Sequence, residues 1–297
     1  MQFIGNQDLT KKKLIAANFC KNRFCPFCAW RKSLKEAMQV QVCMKYLKAE
    51  EAQVFYFLTL TAPNVPAEEL ENEIKHYNTS FKRLMQIKEV KDVVNGYARK
   101  LEVTYNSDKI ITKELYKKMR DYFDRKGLGV GDPNPNYNTY HPHFHVILCF
   151  NRNTFKKQPM LDWLTLWQEA TRNKDITQVR CDKINMNVSN NKEALEIAKY
   201  ASKDSDYLHN QDVFNVFYRA LKGKRVLVYS GSFKDAVELY KKGDLDIFKE
   251  EDLEKYVHML MYNWIGNNYK ELVTRELTEE EYKKYNKGKN EEVKDDE

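Results

Sequence analysis

The sequence predicts a domain of mixed secondary structure, either α+β or α/β, and three observations carry that expectation. Short runs dense in aromatic and β-branched residues alternate with longer stretches whose apolar residues recur at helical spacing. Gly and Pro number only 10 and 7 among 297 residues, so turns are few and elements should be long. Hydrophobic residues make up 42% of the chain and aromatic residues 13%, enough for a real core, which excludes wholesale disorder. No apolar run approaches the ~20 residues that span a bilayer, and no signal-peptide pattern opens the chain, so a cytoplasmic protein with no membrane partner is expected. Six Cys in a chain this long are too sparse for a disulfide scaffold.

The elements follow in order. Residues 29–52 run without a breaker, with Trp30, Leu34, Ala37, Met38, Gln41 and Val42 at helical spacing. Residues 54–61 read as a strand stopped by Pro63, and residues 66–88 as an amphipathic helix. A second strand covers 99–105, a Lys-rich helix lies near 112–126, and a Gly/Pro/Asn loop occupies 127–139. A third strand spans 141–150, a helix 159–171, a fourth strand 176–184 and a helix 190–203. Residues 211–222 and 233–242 look helical, with an extended stretch at 225–229 between them. The charged tail, roughly 276–297, reads as solvated helix fraying into disorder.

Charge is unevenly placed. The chain carries a net +7, and residues 1–50 alone hold ten Lys/Arg against three acids, also +7. Residues 276–297 hold nine acids and five Lys, a net −4. A basic front end suggests a polyanionic partner, most simply nucleic acid, with Arg23, Arg31 and Lys32 as candidate contacts. The plainer alternative is a soluble, Lys-rich surface.

The sharpest chemical feature is His141-Pro-His143-Phe-His145-Val. Strand side chains alternate, so the three His share one face while Phe144, Val146, Leu148 and Phe150 share the other. The second face is core. The first sets imidazoles two residues apart, a ready pair of metal ligands. An H-x-H pair alone is a weak signal, and the competing reading is half-buried His hydrogen-bonded at a strand edge. A third ligand should come from a neighbouring strand, where Glu102 and Thr104 oppose the apolar Leu101, Val103 and Tyr105. Two imidazoles and a carboxylate leave positions open on a divalent ion for water or phosphate oxygens.

Asn190 and Glu193 form a capping-box pattern, and the helix they start places Ala194, Ile197, Ala198 and Ala201 on one face. Glu196, Tyr200, Lys203 and Tyr207 line the opposite face within about 60° of arc. That is either an ordinary exposed face or a nucleophilic phenol with a base for water one turn before and a cation one turn after. A phenol of pKa ~10 needs a cation or metal nearby to attack at neutral pH. Cys20, Cys25 and Cys28, within the basic front end, suggest a structural zinc site lacking an evident fourth ligand. Cys43 is a poor candidate for it, since it lies about 20 Å further along a continuous helix. The alternative is three reduced Cys packing a turn.

Taken together, H-P-H-F-H-V at 141–146, F-L-T-L-T at 57–61 and E-I-A-K-Y-A-S-K-D at 196–204 resemble the HUH endonuclease superfamily. More narrowly, with N-F-C-K-N-R-F-C-P-F-C-A-W-R-K-S at 18–33 and L-K-G-K-R at 221–225, the chain looks like the rolling-circle replication initiators of small Gram-positive plasmids. The resemblance runs from about residue 10 to 275, in family order. It implies an α+β fold with a central antiparallel sheet, flanking helices, a helical, Cys-containing N-terminal element and a C-terminal extension. It implies Mg2+ or Mn2+ on His143 and His145, with Glu102 completing the site. Tyr200 would be the nucleophile that nicks single-stranded origin DNA, forming a 5′-phosphotyrosyl link and freeing a 3′-OH for a host polymerase. Glu196 would activate water at termination, and Lys203 would offset developing charge. His141 reads as a shell residue, and Tyr207 as a lesser candidate for a second nucleophile.

The expected organisation is a basic Cys-containing element at 1–50 that binds DNA, a nicking domain at 51–210, a C-terminal extension at 211–275 and a charged tail at 276–297. No G-x-x-x-x-G-K motif is present, so a host helicase is expected as partner, and the reading admits a homodimer. The same chemistry would serve a mobilisation relaxase or a transposase. A reading from a different class is a non-catalytic DNA-binding regulator built on the Cys-rich front end.

Overall fold

A five-stranded antiparallel sheet lies at the centre of the computed structural model, which describes residues 1–151, 161–186, 210–249 and 254–286. By its contacts the chain divides into two units, Trp30–Lys242 and a smaller one made of Met1–Ala29 with Gly243–Glu297. The fold is α+β, with the antiparallel sheet that the resemblance implied.

The smaller unit holds strands β1 (Gln2–Asn6) and β2 (Lys12–Ala16), and the larger supplies β3 (Gln53–Leu60), β4 (Val94–Asn106), β5 (Thr139–Asn151), β6 (Val179–Lys183) and β7 (Leu227–Gly231). The central sheet runs β6-β3-β5-β4-β7, so the two longest strands, β4 and β5 at 13 residues each, lie at its middle. Burial on both faces explains why residues 146–150 of β5 form a continuous apolar run with no alternation.

Helices cover both faces. Phe144 packs against Tyr77 and Phe81 of the helix Leu70–Leu84, and Tyr77 meets Trp167 of the helix Trp163–Thr171 edge-on. Arg99 is buried there too. Its guanidinium lies 4.7 and 4.3 Å from the ring centres of Phe81 and Phe144 and donates to Asn78 Oδ1 at 2.8 Å. Those partners make the burial of a cation tolerable. On the opposite face Phe55 meets Phe233 of the helix Ser232–Lys242. The long helix Pro26–Glu50 engages that face through Glu36, which pairs with Lys100, and Gln39, which accepts from Tyr229.

Two local readings need correction. The Lys-rich stretch expected as one helix forms two short ones, Lys113–Lys118 and Arg120–Arg125, interrupted at Met119, whose φ of −124° leaves the helical region. The smaller unit contains strands where the sequence suggested none. There β1 and β2 pair with a hairpin of β8 (Tyr256–Ile265) and β9 (Asn268–Glu276), in the order β2-β1-β8-β9. Its core is small, with Ile4, Tyr256 and Met259 packed by Ile15, Met261, Leu277 and Tyr285. A charged tail begins as the helix Glu279–Tyr285, opened by a capping box between Thr278 and Glu281.

Candidate active site

The site is assembled by strand register. In the β4–β5 ladder Glu102 stands directly opposite His143, and in the β3–β5 ladder Thr59 stands opposite His145. Alternation then sends Glu102, His143 and His145 to one face of the sheet, while Phe144 and Val146 enter the core on the other.

The three side chains converge. Glu102 Oε2 lies 3.0 Å from His145 Nε2 and 3.4 Å from His143 Nε2, and one ligand atom from each residue falls within 4.8 Å of the others. Two donors held about 2.1 Å from a common ion at right angles are about 3.0 Å apart, so the spacing suits three adjacent positions of a small divalent cation. All three residues are buried, yet the side chains retain about a tenth of their surface open to solvent. Burial alone would raise the Glu102 pKa. Hydrogen bonds from His143 and His145 outweigh it and hold the carboxyl well below the usual carboxylate range.

A second layer orients the imidazoles. His143 Nδ1 lies 3.2 Å from the His141 carbonyl, to which it donates. His145 Nδ1 faces Thr59 Oγ1 at 3.4 Å, and Phe57 stacks on the His145 ring at 5.5 Å. With Nδ1 of His143 on the His141 carbonyl, its Nε2 is the nitrogen turned toward Glu102 and a shared cation. His141 stacks on His143 at 5.0 Å and stands outside the converging group; burial, reinforced by His143, pushes its pKa down to about 3.

Sequence reasoning missed one charged pair. Lys100 lies two residues before Glu102, opposite His145 in the ladder, and is only 4% exposed. Its Nζ donates to Glu36 Oε2 at 2.7 Å, and Lys32 Nζ is 3.9 Å from Glu36 Oε1. The alternation of β4 could have flagged Lys100, but nothing in the sequence pairs it with Glu36, 64 positions earlier. Thr59 and Phe57 lay within a quoted motif without an assigned role; the register of Thr59 against His145 and the stacking of Phe57 on its ring give each one.

Glu196, Tyr200, Lys203 and Tyr207 lie outside the described residues. Arg23 belongs to the smaller unit, Arg31 and Lys32 to the larger.

The Cys cluster forms within the smaller unit. Cys20 and Cys28 Sγ are 3.5 Å apart, and the thiols of Cys20, Cys25 and Cys28 lie within 4.8 Å of one another. A left-handed Lys21 (φ 54°) and an Asn22 side chain accepting from Phe24 N turn the chain back toward Pro26, where the long helix begins. Sulfurs about 2.3 Å from one tetrahedral ion would be about 3.8 Å apart, so the group suits three of four zinc ligands. Among the described residues no fourth ligand joins them. Cys43, buried on the helix, has its thiol pushed up to about 12 by burial and is not part of the group.

A family model described as "Replication protein" matches residues 11–271 of the chain. A Staphylococcus aureus protein named "Protein rep" is 45% identical over 215 residues, covering 71% of this chain and 81% of that one. Proteins of the same name from Bacillus amyloliquefaciens and Streptococcus pneumoniae are 32% and 30% identical, covering 86% and 85% of this chain and 75% and 72% of theirs. No solved structure matches the chain.

Proposed function

This chain belongs to the replication-protein family, the rolling-circle initiators whose motifs its sequence carries, and on that premise we propose that it nicks one strand of a plasmid origin through Tyr200. The observation that carries the reading is the convergence of Glu102, His143 and His145 at the middle of the sheet, on a face partly open to solvent. A carboxylate beside two imidazoles, each with its Nδ1 facing a hydrogen-bond partner, is a donor set for Mg2+ or Mn2+. Held by these three residues, such an ion would supply Lewis acidity to the scissile phosphate.

The protein's own groups do the rest. The Tyr200 phenolic oxygen attacks the phosphorus, forming the O–P bond as the P–O3′ bond breaks. The departing oxygen takes a proton and leaves as the free 3′-OH from which a host polymerase extends. Lys203 balances charge on the phosphate, and Glu196 takes the proton from water when the link is hydrolysed at termination. Residues 1–50, with Arg23, Arg31 and Lys32, hold origin DNA through its phosphates. Cys20, Cys25 and Cys28 would hold three positions of a structural zinc ion.

The test is incubation with a labelled single-stranded origin oligonucleotide and Mn2+, followed by peptide mapping of the DNA-linked residue. Tyr200→Phe should abolish cleavage and covalent attachment while origin binding persists. A Phe variant that still cleaves and still becomes linked to DNA removes Tyr200 as the nucleophile.

A further inference from the structure

The smaller unit carries a cleft that the nicking chemistry does not use. Of about 390 Å3, it is walled by Trp264 and Tyr269 of the β8–β9 hairpin and lined by Gln2, Asn18, Asn263 and Ala16. Trp264 and Tyr269 are direct partners across the hairpin ladder, two pairs from a turn in which Gly266 takes a φ of +67°. Their rings meet edge-to-face at 5.0 Å, and Phe27 backs Tyr269 at 6.4 Å.

Yet Trp264 is 59% exposed and Tyr269 43%. Each ring held half in water forgoes much of the ~1.5–3 kcal/mol that full burial of a large apolar side chain provides, so folding alone gives no reason for the pair. Beside the rings, the amides of Gln2, Asn18 and Asn263 make no side-chain hydrogen bond among the described residues. Each offers both donors and an acceptor.

An aromatic face beside amide edges matches one ligand chemistry closely. A nucleobase stacks flat on an indole or phenol and presents alternating donors and acceptors along its edge, which Asn and Gln read in pairs. The volume suits a single nucleotide, at the lower end of the range for small-ligand sites. Residues 1–29 of this unit hold Lys11, Lys12, Lys13, Lys21 and Arg23 against Asp8 alone, cations for the phosphates that flank a bound base. A base paired in a duplex has no free face to stack, so the occupant is unpaired.

We propose that this cleft holds one unpaired base of single-stranded DNA, stacked on Trp264 and read at its edge by Gln2, Asn18 and Asn263. The inference rests on the reading above that the substrate is an origin strand, and adds where one of its bases is held.

The test uses the full chain and 2-aminopurine placed at successive positions of a single-stranded origin oligonucleotide. Wild type should quench the probe strongly at one position. Trp264→Ala should lose that quench and bind the oligonucleotide roughly 5- to 150-fold more weakly, the range expected for one stacked base. Trp264→Phe should keep most of both, which separates lost stacking from a damaged hairpin. If Trp264→Ala binds like wild type, or keeps the quench, the cleft is not a base site while the nicking reading stands. If its only change is in sedimentation, the surface meets a second copy of the chain and the proposal is overturned. Wild-type protein that neither binds nor nicks the oligonucleotide overturns both readings.

Discussion

Lys100 and Glu36 give the most exacting test of how the site is built. The pair is 2.7 Å apart, with 5% of the Lys100 side chain and 15% of the Glu36 side chain exposed. Burial lowers the Lys100 pKa from its ordinary 10.5, and Glu36 opposes that shift. Replacing Glu36 by Ala leaves the ammonium without its hydrogen-bonded counter-charge, with only the weaker pull of Glu102, in a site that water scarcely reaches. Breaking a buried pair in this way costs about 3–5 kcal/mol. A ceiling follows independently: a stranded lysine can shed its proton at pH 7, at about 1.4 kcal/mol for each of the ~3.5 units below its ordinary pKa, which limits the cost to roughly 5 kcal/mol. For a unit of the size of Trp30–Lys242, each kcal/mol shifts Tm by about 2–4 °C, so Glu36→Ala should melt about 6–20 °C lower. Thermal and urea unfolding in EDTA keep metal binding out of the comparison. The double variant Lys100→Met with Glu36→Leu removes both charges and should recover most of the loss, because well-packed apolar replacements of buried pairs are often neutral. A Glu36→Ala protein within about 1 kcal/mol of wild type, or single and double variants that simply add, would refute the claim that this pair is buried and coupled.

Two further outcomes are expected. Thr59→Val keeps the strand's shape but removes the oxygen facing His145 Nδ1, so Mn2+ affinity measured by calorimetry should fall about 10- to 100-fold, with Tm little changed; unaltered affinity would mean that Thr59 does not orient His145. In the smaller unit, Arg275 donates to both Glu281 oxygens at 2.7 Å and, with the Thr278 backbone, lowers the Glu281 pKa to about 2. A depressed folded-state pKa gives stability that is present above the ordinary value of 4.5 and lost as pH falls toward 2, so Glu281→Gln should flatten acid unfolding across that window; an unchanged acid profile would rule the pair out as its source.

The strands that carry Glu102, His143 and His145 were legible because their signals are local. Alternation in residues 99–105 and 141–150 predicted which side chains share a face, and the ladder places Glu102 opposite His143 accordingly. The smaller unit was not legible in this way. Its strand β9 is exposed along nearly all its length, so no face carries an apolar stripe, and its pairing joins residues about 250 positions apart. Polar sequence and long-range pairing together erase the pattern on which strand recognition depends. Glu36 and Lys100 failed for the second reason alone: each reads as an ordinary charged residue, and only the fold brings them together.

That difference bears on how the chemistry is secured. A side-chain cluster drawn from two adjacent strands depends on register, since a slip of one residue in β4 would turn Glu102 into the core and bring Leu101 or Val103 to face the imidazoles. The buried Arg99 resists such a slip. Its guanidinium is fixed between Phe81 and Phe144 and bonded to Asn78, and the slip would carry this cation to the face now occupied by Lys100. Lys100 in turn would enter the apolar side and leave Glu36 without its partner. Two buried cations on opposite faces of one strand, each matched to its own surroundings, therefore penalise the shifted register by several kcal/mol apiece. The neighbouring carboxylate keeps its place beside the two histidines because the residues before it cannot exchange sides.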